Sequence, residues 1–177
     1  MFDAPMIGFQ EKRGLIYQAS ATKVNGSRDL AGWKRKRGLL GPLAPLLGQW
    51  RTSAKHSDGS KIECARTFEA MGAGYVKLSV DWHLGARGHY LETCLFGKGD
   101  DGALSFWSFT SDGKRSTGTL ADGSDVHADA VAFTAEMPAG TARFVYWPDE
   151  DGFRFAVENK TKKGWNRFVE HIYRSAS

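Results

Sequence analysis

The chain has 177 residues, of which 41% are hydrophobic and 12% aromatic, and its formal net charge is +4. These values fit one folded domain with a sizeable core, and they exclude an intrinsically disordered chain. No apolar run approaches the roughly 18 residues of a membrane-spanning helix, and residues 1–5 do not begin a secretory signal. We therefore expect a cytoplasmic protein without a membrane span.

Residues 1–38 show no sustained hydrophobic period, so we interpret them as an N-terminal arm. They contain the basic run Lys34-Arg35-Lys36-Arg37. On a nearly charge-balanced chain, such a run favours a solvated flank over a segment that binds nucleic acid or a membrane surface. No recognition helix or zinc-finger spacing accompanies the run. Nucleic acid is therefore not an expected partner.

The segment that follows predicts a short apolar helix closing one end of the next domain. At a spacing of 3.6 residues per turn, one face of this helix carries Leu39, Leu43, Leu46 and Leu47. Gly48 supplies a residue type that commonly ends a helix.

From Trp50 to Arg174, segments of strand length alternate with about nine turns rich in glycine and aspartate. The turns fall at residues 57–59, 71–74, 84–88, 97–102, 111–113, 121–124, 138–140, 148–152 and 161–164. Residues 75–82 alternate between polar and apolar side chains, which is typical of a half-buried strand. Since no later helix is long enough for a crossover, the sheet should be antiparallel. Residues 39–177 therefore predict an all-β, roughly ten-stranded, up-and-down barrel.

Gly48-Gln49-Trp50 opens the first predicted strand directly after the helix, and this resembles the Gly-x-Trp signature of the calycin barrels, which include lipocalins and fatty-acid-binding proteins. The resemblance implies that Trp50 closes the barrel base against a basic residue of the last strand, either Arg167 or Arg174. Residues 66–69 and 165–174 extend the similarity to a bacterial family of calycin-like domains of unknown function. It covers about residues 43–174 and implies a barrel with an internal pocket.

A second resemblance is to the nitrobindins, ten-stranded calycin-like barrels that bind haem through a histidine near the C-terminus. His171 lies in a comparable place. However, nitrobindins carry Gly-x-Trp-x-Gly-x-Gly, whereas Trp50 is followed here by residues 51–54, Arg-Thr-Ser-Ala. Haem held by His171 is therefore the alternative rather than the leading hypothesis, which needs no cofactor.

The leading hypothesis is that the barrel interior binds a small apolar or amphipathic ligand. Large aromatic side chains should line part of the interior, and an inward Arg66 or Glu92 would anchor a polar head group. Strand alternation does not decide whether His171 points inward or outward, because both faces of the last strand carry apolar residues. The candidate ligand-binding residues are Arg66, Trp82, Tyr90, Glu92, Trp107 and His171.

The sequence favours a binding protein over an enzyme, since it contains no catalytic or nucleotide-binding motif. A minor enzyme acting on a lipid-like substrate through Glu92 or His83 is a further alternative, and a homodimer is compatible with the sequence.

His83 and His89 flank a turn and are expected to oppose each other, but they lack an obvious third metal ligand. Cys64 and Cys94 are expected to be free thiols.

Overall fold

Ten antiparallel strands form one closed barrel in the computed structural model, which describes residues 33–55 and 58–176. Each strand pairs with its neighbours in the chain, and β1 pairs with β10 to complete the ring. The strands are β1 Gly48–Lys55, β2 Lys61–Met71, β3 Tyr75–His83, β4 His89–Lys98, β5 Leu104–Thr110, β6 Arg115–Ala121, β7 Val131–Met137, β8 Gly140–Asp149, β9 Gly152–Thr161 and β10 Gly164–Ser175. The prediction of an all-β, up-and-down antiparallel barrel is confirmed. Within the described ranges, no helix is long and apolar enough to span a membrane.

Alternation along each strand places one set of side chains inside the barrel. In β3, the inward residues Val76, Leu78, Val80 and Trp82 are all buried, while the residues between them are more exposed. In β8 and β9 both faces are largely buried. The reason is a second, smaller core on the outer wall, where residues of the β6–β7 loop cover Val145, Trp147 and Ala156. This explains why these two strands are apolar on both faces.

One end of the barrel is closed by a 3-10 helix, Gly41–Leu46, and we call it the closed end. Leu43 and Leu46 are fully buried there, whereas Leu39 and Leu47 are each 38% exposed. The predicted four-leucine face is therefore wrong in part. A 3-10 helix has 3.0 residues per turn, so residues three apart eclipse each other and positions 39 and 47 fall outside the buried face.

Trp50 packs at the closed end against Phe153 in a T-shaped contact, with 5.1 Å between ring centroids. Its Nε1 donates a hydrogen bond to the Leu46 carbonyl oxygen at 2.7 Å. The expected contact with Arg167 or Arg174 is wrong. Both arginines lie on the outer face of β10, where the first covers the Trp147 ring and the second pairs with Asp149, so neither reaches the interior.

Residues 33–38, the end of the predicted arm, also lie against the closed end. Trp33 packs against the core, and its Nε1 donates to the Asp129 carbonyl oxygen at 3.0 Å. Arg35 donates to the carbonyl oxygen of Ala130. The rest of the predicted arm, residues 1–32, lies outside the described residues.

Candidate functional site

The barrel interior contains a cavity of about 30 Å³, counted as the space open to the centre of a water molecule. A single water needs roughly 10–15 Å³ on this measure, so the space is large enough for about two waters. The wall is mostly aromatic, and the polar groups Arg66 and Glu92 interrupt it. The aromatic lining consists of Phe96, Phe106, Phe133, Phe144, Tyr146 and Phe155. This arrangement is apolar with two ionisable anchors.

Arg66 reaches the cavity from the middle of β2, and its residue is only 1% exposed. Its Nε donates to the Tyr173 hydroxyl at 2.9 Å, and its Nη1 donates to the Tyr146 hydroxyl at 3.4 Å. The guanidinium carbon lies 3.9 Å from the centroid of the Phe155 ring. Two phenols and an aromatic face therefore fix the orientation of the guanidinium group.

The remaining nitrogen of Arg66, Nη2, is buried and has no hydrogen-bond partner in the described part of the chain. Within these same residues, Arg66 also forms no ion pair. A buried charge normally needs a paired group of opposite charge, because removing it from water costs several kcal/mol. The Arg66 side chain thus presents an unsatisfied, positively charged donor in a largely apolar cavity.

Glu92 lines the same cavity from β4, in the same cross-strand row as Arg66, since both residues pair with Val80. It is 8% exposed. Ser108 Oγ donates to Glu92 Oε1 at 2.5 Å, which orients the carboxyl group. The cavity therefore has one basic and one acidic group.

The two cysteines point inward from β2 and β4, the strands on either side of β3. Cys64 Sγ accepts a hydrogen bond from the Tyr173 hydroxyl at 3.4 Å, and Cys94 lines the cavity. Both are free and buried, as expected. Burial raises the pKa of the Cys94 thiol well above its ordinary value, so at neutral pH it contributes a neutral, weakly polar surface.

His171 faces inward from β10, which resolves the choice left open by the sequence. Its neighbours on this face, Val169 and Tyr173, pack against the main core. The imidazole lies against the Trp82 ring, with 5.1 Å between centroids. Burial, followed by the positive charge of Arg66, lowers the pKa of His171 to about 4, with a smaller opposing effect from Glu170. His171 is therefore neutral at pH 7.

The depressed pKa of His171 predicts a loss of stability in mild acid. The folded protein keeps the imidazole neutral down to about pH 4, whereas the unfolded chain takes up a proton below about pH 6.5. Stability due to this group is therefore present above pH 6.5 and is lost as the pH falls towards 4. Between pH 7 and 5, we expect unfolding to become easier by about 1–2 kcal/mol more in the wild type than in His171→Phe.

Urea unfolding at the two pH values measures this difference. The same substitution at His127, in the β6–β7 loop, is the control. Equal acid sensitivity of the wild type and His171→Phe would contradict the assignment.

The structure brings four of the six predicted ligand-binding residues, Arg66, Glu92, Trp82 and His171, into one part of the interior. Tyr90 also faces inward, opposite Trp82 in the register of β3 and β4, and is buried. Trp107 does not face inward. It alternates with the cavity-lining Phe106 on β5 and so lies on the outer wall, away from the cavity.

Binding of haem by His171 stays a prediction, and two features of the interior bear on it. The space open to the centre of a water molecule is only about 30 Å³, so a porphyrin has no room with the aromatic side chains where they stand. The ring of His171 is also covered by Trp82. Binding of a porphyrin there would require the aromatic lining to be displaced.

Sequence reasoning missed Tyr173 and Ser108, which hold the two ionisable groups of the cavity. The signal for Tyr173 was its place two residues after His171, which fixes both on one face of β10. The face itself depends on a β-bulge between Arg167 and Val169, which shifts the register of β10 against β9.

Comparison with known proteins supports the fold alone. No family model matches the chain, and no curated protein matches it. The chain is similar to the crystal structure of Rv2717c from M. tuberculosis, with a TM-score of 0.51 and 14% sequence identity. That match covers 80% of this chain and 99% of the other.

Proposed function

We propose that this protein is a calycin-like binding barrel whose interior holds a small amphipathic ligand with an anionic head group. The unpartnered Nη2 of Arg66 carries the proposal, because it is a buried, positively charged donor at the cavity. A carboxylate or similar anion would satisfy this donor and compensate the charge. The five surrounding phenylalanines suit an apolar tail.

The calycin-like assignment is supported by the position of Trp50. It follows the closing 3-10 helix, begins the first strand region and seals the closed end beneath Phe153. The closed, up-and-down order of ten strands agrees with it. These features support the assignment by architecture and by the Gly-x-Trp segment.

The size of the cavity limits the ligand. The open space is large enough for a small head group, since it has the volume of about two waters. A longer tail requires the phenylalanine side chains to move apart. We therefore propose a short or flexible ligand rather than a bulky, rigid one.

Comparison of three six-carbon compounds tests the proposal by isothermal titration calorimetry. Hexanoate, hexan-1-ol and hexylammonium share a tail and differ in head-group charge. We expect hexanoate to bind most tightly. In Arg66→Met its affinity should fall about tenfold or more, because a charge-assisted hydrogen bond contributes about 1.5–3 kcal/mol. Binding of hexan-1-ol should change little.

Leu78→Met is the matched control, since Leu78 lines the same cavity without charge. It should keep the preference for hexanoate. Unchanged hexanoate binding in Arg66→Met would contradict the proposal, and a preference for hexylammonium would assign the head group to Glu92 instead. If Glu92→Gln lost turnover of a lipid-like substrate but kept binding, an enzyme acting on such a substrate would be favoured instead. If added haem gave a Soret band that His171→Ala removes, the haem-binding barrel would be favoured.

A further inference from the structure

We propose that His83 and His89 form a binding site for a divalent late transition metal, with Cu²⁺ preferred, on the outer wall of the barrel. The site lies where β3 ends and β4 begins. It is separate from the interior cavity, so its test does not depend on the proposed ligand.

The backbone holds the two imidazoles side by side. His83 and His89 are direct partners in the β3–β4 register, which confirms the expectation that they oppose each other. The Leu84 amide donates to the Gly88 carbonyl oxygen at 2.8 Å. Because hydrogen-bonded and non-hydrogen-bonded pairs alternate along antiparallel strands, the adjacent histidine pair is a non-hydrogen-bonded one, in which the side chains lie closer together. The ring centroids are 4.8 Å apart, with 49° between the planes. Both histidines are exposed to solvent.

Asp81 orients one of the two rings. Its Oδ1 lies 2.7 Å from Nδ1 of His89, across the hairpin. A carboxylate in this position favours the tautomer that carries its proton on Nδ1, and it leaves the Nε2 lone pair free for a metal. Carboxylate–imidazole pairs of this kind commonly support metal-binding histidines from behind. Asp81 is thus a positioning residue for the site.

The donor set selects the class of metal. Imidazole nitrogen suits copper, nickel and zinc, and Cu²⁺ is bound most tightly by a given set of such donors. Among the residues the structure describes, no group of three or more His, Cys, Asp or Glu side chains is arranged to hold a metal. The neighbouring Glu63 is instead paired with Lys61 at 2.6 Å. Two imidazoles with water in the remaining positions fit tetragonal Cu²⁺ better than a closed tetrahedral zinc site.

Titration of the full, untagged chain with CuCl₂ tests the site, with calorimetry for affinity and electron paramagnetic resonance for the donors. We expect nitrogen coupling from two imidazoles. His83→Ala and His89→Ala should each lower the affinity about tenfold or more. Asp81→Asn should lower it about tenfold while keeping both nitrogen donors. His127→Ala is the matched control and should leave binding unchanged.

These substitutions are on the surface, so an unchanged circular dichroism spectrum will show that each variant folds. Wild-type Cu²⁺ affinity in the His83→Ala/His89→Ala double variant would overturn the proposal. A wild-type spectrum without coupling from two nitrogens would also overturn it.

Discussion

Phe153→Ala is expected to lower the free energy of unfolding by about 3–5 kcal/mol, the range for removing a buried phenylalanine ring. Phe153 is fully buried at the closed end. Its ring contacts five other aromatic rings and stacks on one of them, Tyr173, at 5.0 Å between centroids. The five contacting rings belong to Trp33, Trp50, Phe68, Tyr146 and Tyr173. The cavity left by the substitution cannot be refilled easily, since its neighbours are themselves large and rigid.

Urea unfolding followed by circular dichroism measures this loss. Phe109→Ala is the control, because Phe109 is 53% exposed on the outer face of β5 and should cost less than about 1 kcal/mol. A similar loss in the two variants would show that Phe153 is not a centre of the core. Since Tyr173 and Tyr146 both bind Arg66, Phe153→Ala should also weaken hexanoate binding.

Glu158→Ala is expected to lower the free energy of unfolding by about 3 kcal/mol, because it leaves a buried arginine with one partner fewer. Glu158 is 3% exposed, and Arg143, which pairs with it, is 2% exposed. The Nε of Arg143 donates to Glu158 Oε2 at 2.8 Å, and Arg167 Nε donates to Oε1 at 3.0 Å. Glu136→Ala, at an exposed position, is the control and should change stability by about 0.5 kcal/mol or less.

A double variant separates a lost attraction from an uncompensated charge. In Arg143→Leu/Glu158→Leu neither charge remains buried, so the loss should be clearly smaller than the sum of the two single losses. Thermal or urea unfolding of the wild type, Arg143→Leu, Glu158→Leu and the double variant gives the coupling energy between the two side chains. Additive losses would mean that the two side chains do not act as a pair.

This pair belongs to a row of alternating charges across the outer face of β8, β9 and β10. The row runs through Asp125, Arg143, Glu158, Arg167, Glu170, Arg154, Asp149 and Arg174. Sequence reasoning did not identify it, because its members lie on three different strands and in the β6–β7 loop. Only the strand register brings them into one line.

The fold could be predicted well because turns and strands are local features. Each of the nine predicted turns separates two strands in the structure. Asp-Gly and related pairs fix where the chain reverses, and alternation in segments such as residues 75–82 fixes the strand type. The 3-10 helix was harder to predict, since its leucines fit a 3.6-residue period nearly as well as a 3.0-residue one.

The candidate site could be predicted only in part. Arg66 and Glu92 were identifiable as charged residues within apolar strands, and the structure places both at the cavity. Trp107 was indistinguishable by residue type from an interior aromatic, because β5 carries aromatic side chains on both faces. Which face of β10 points inward depends on the bulge before Val169, and no local sequence pattern predicts that bulge.

The seam between β1 and β10 has a consequence for biosynthesis. The ribosome makes β10 after the other nine strands, so the ring cannot close until that last strand has emerged. Until then β1 and β9 are unpaired sheet edges, which invite association with other chains. Tyr173, which β10 contributes, also arrives last beside Arg66. The contact between Tyr173 and Arg66 is therefore completed only at the end of translation.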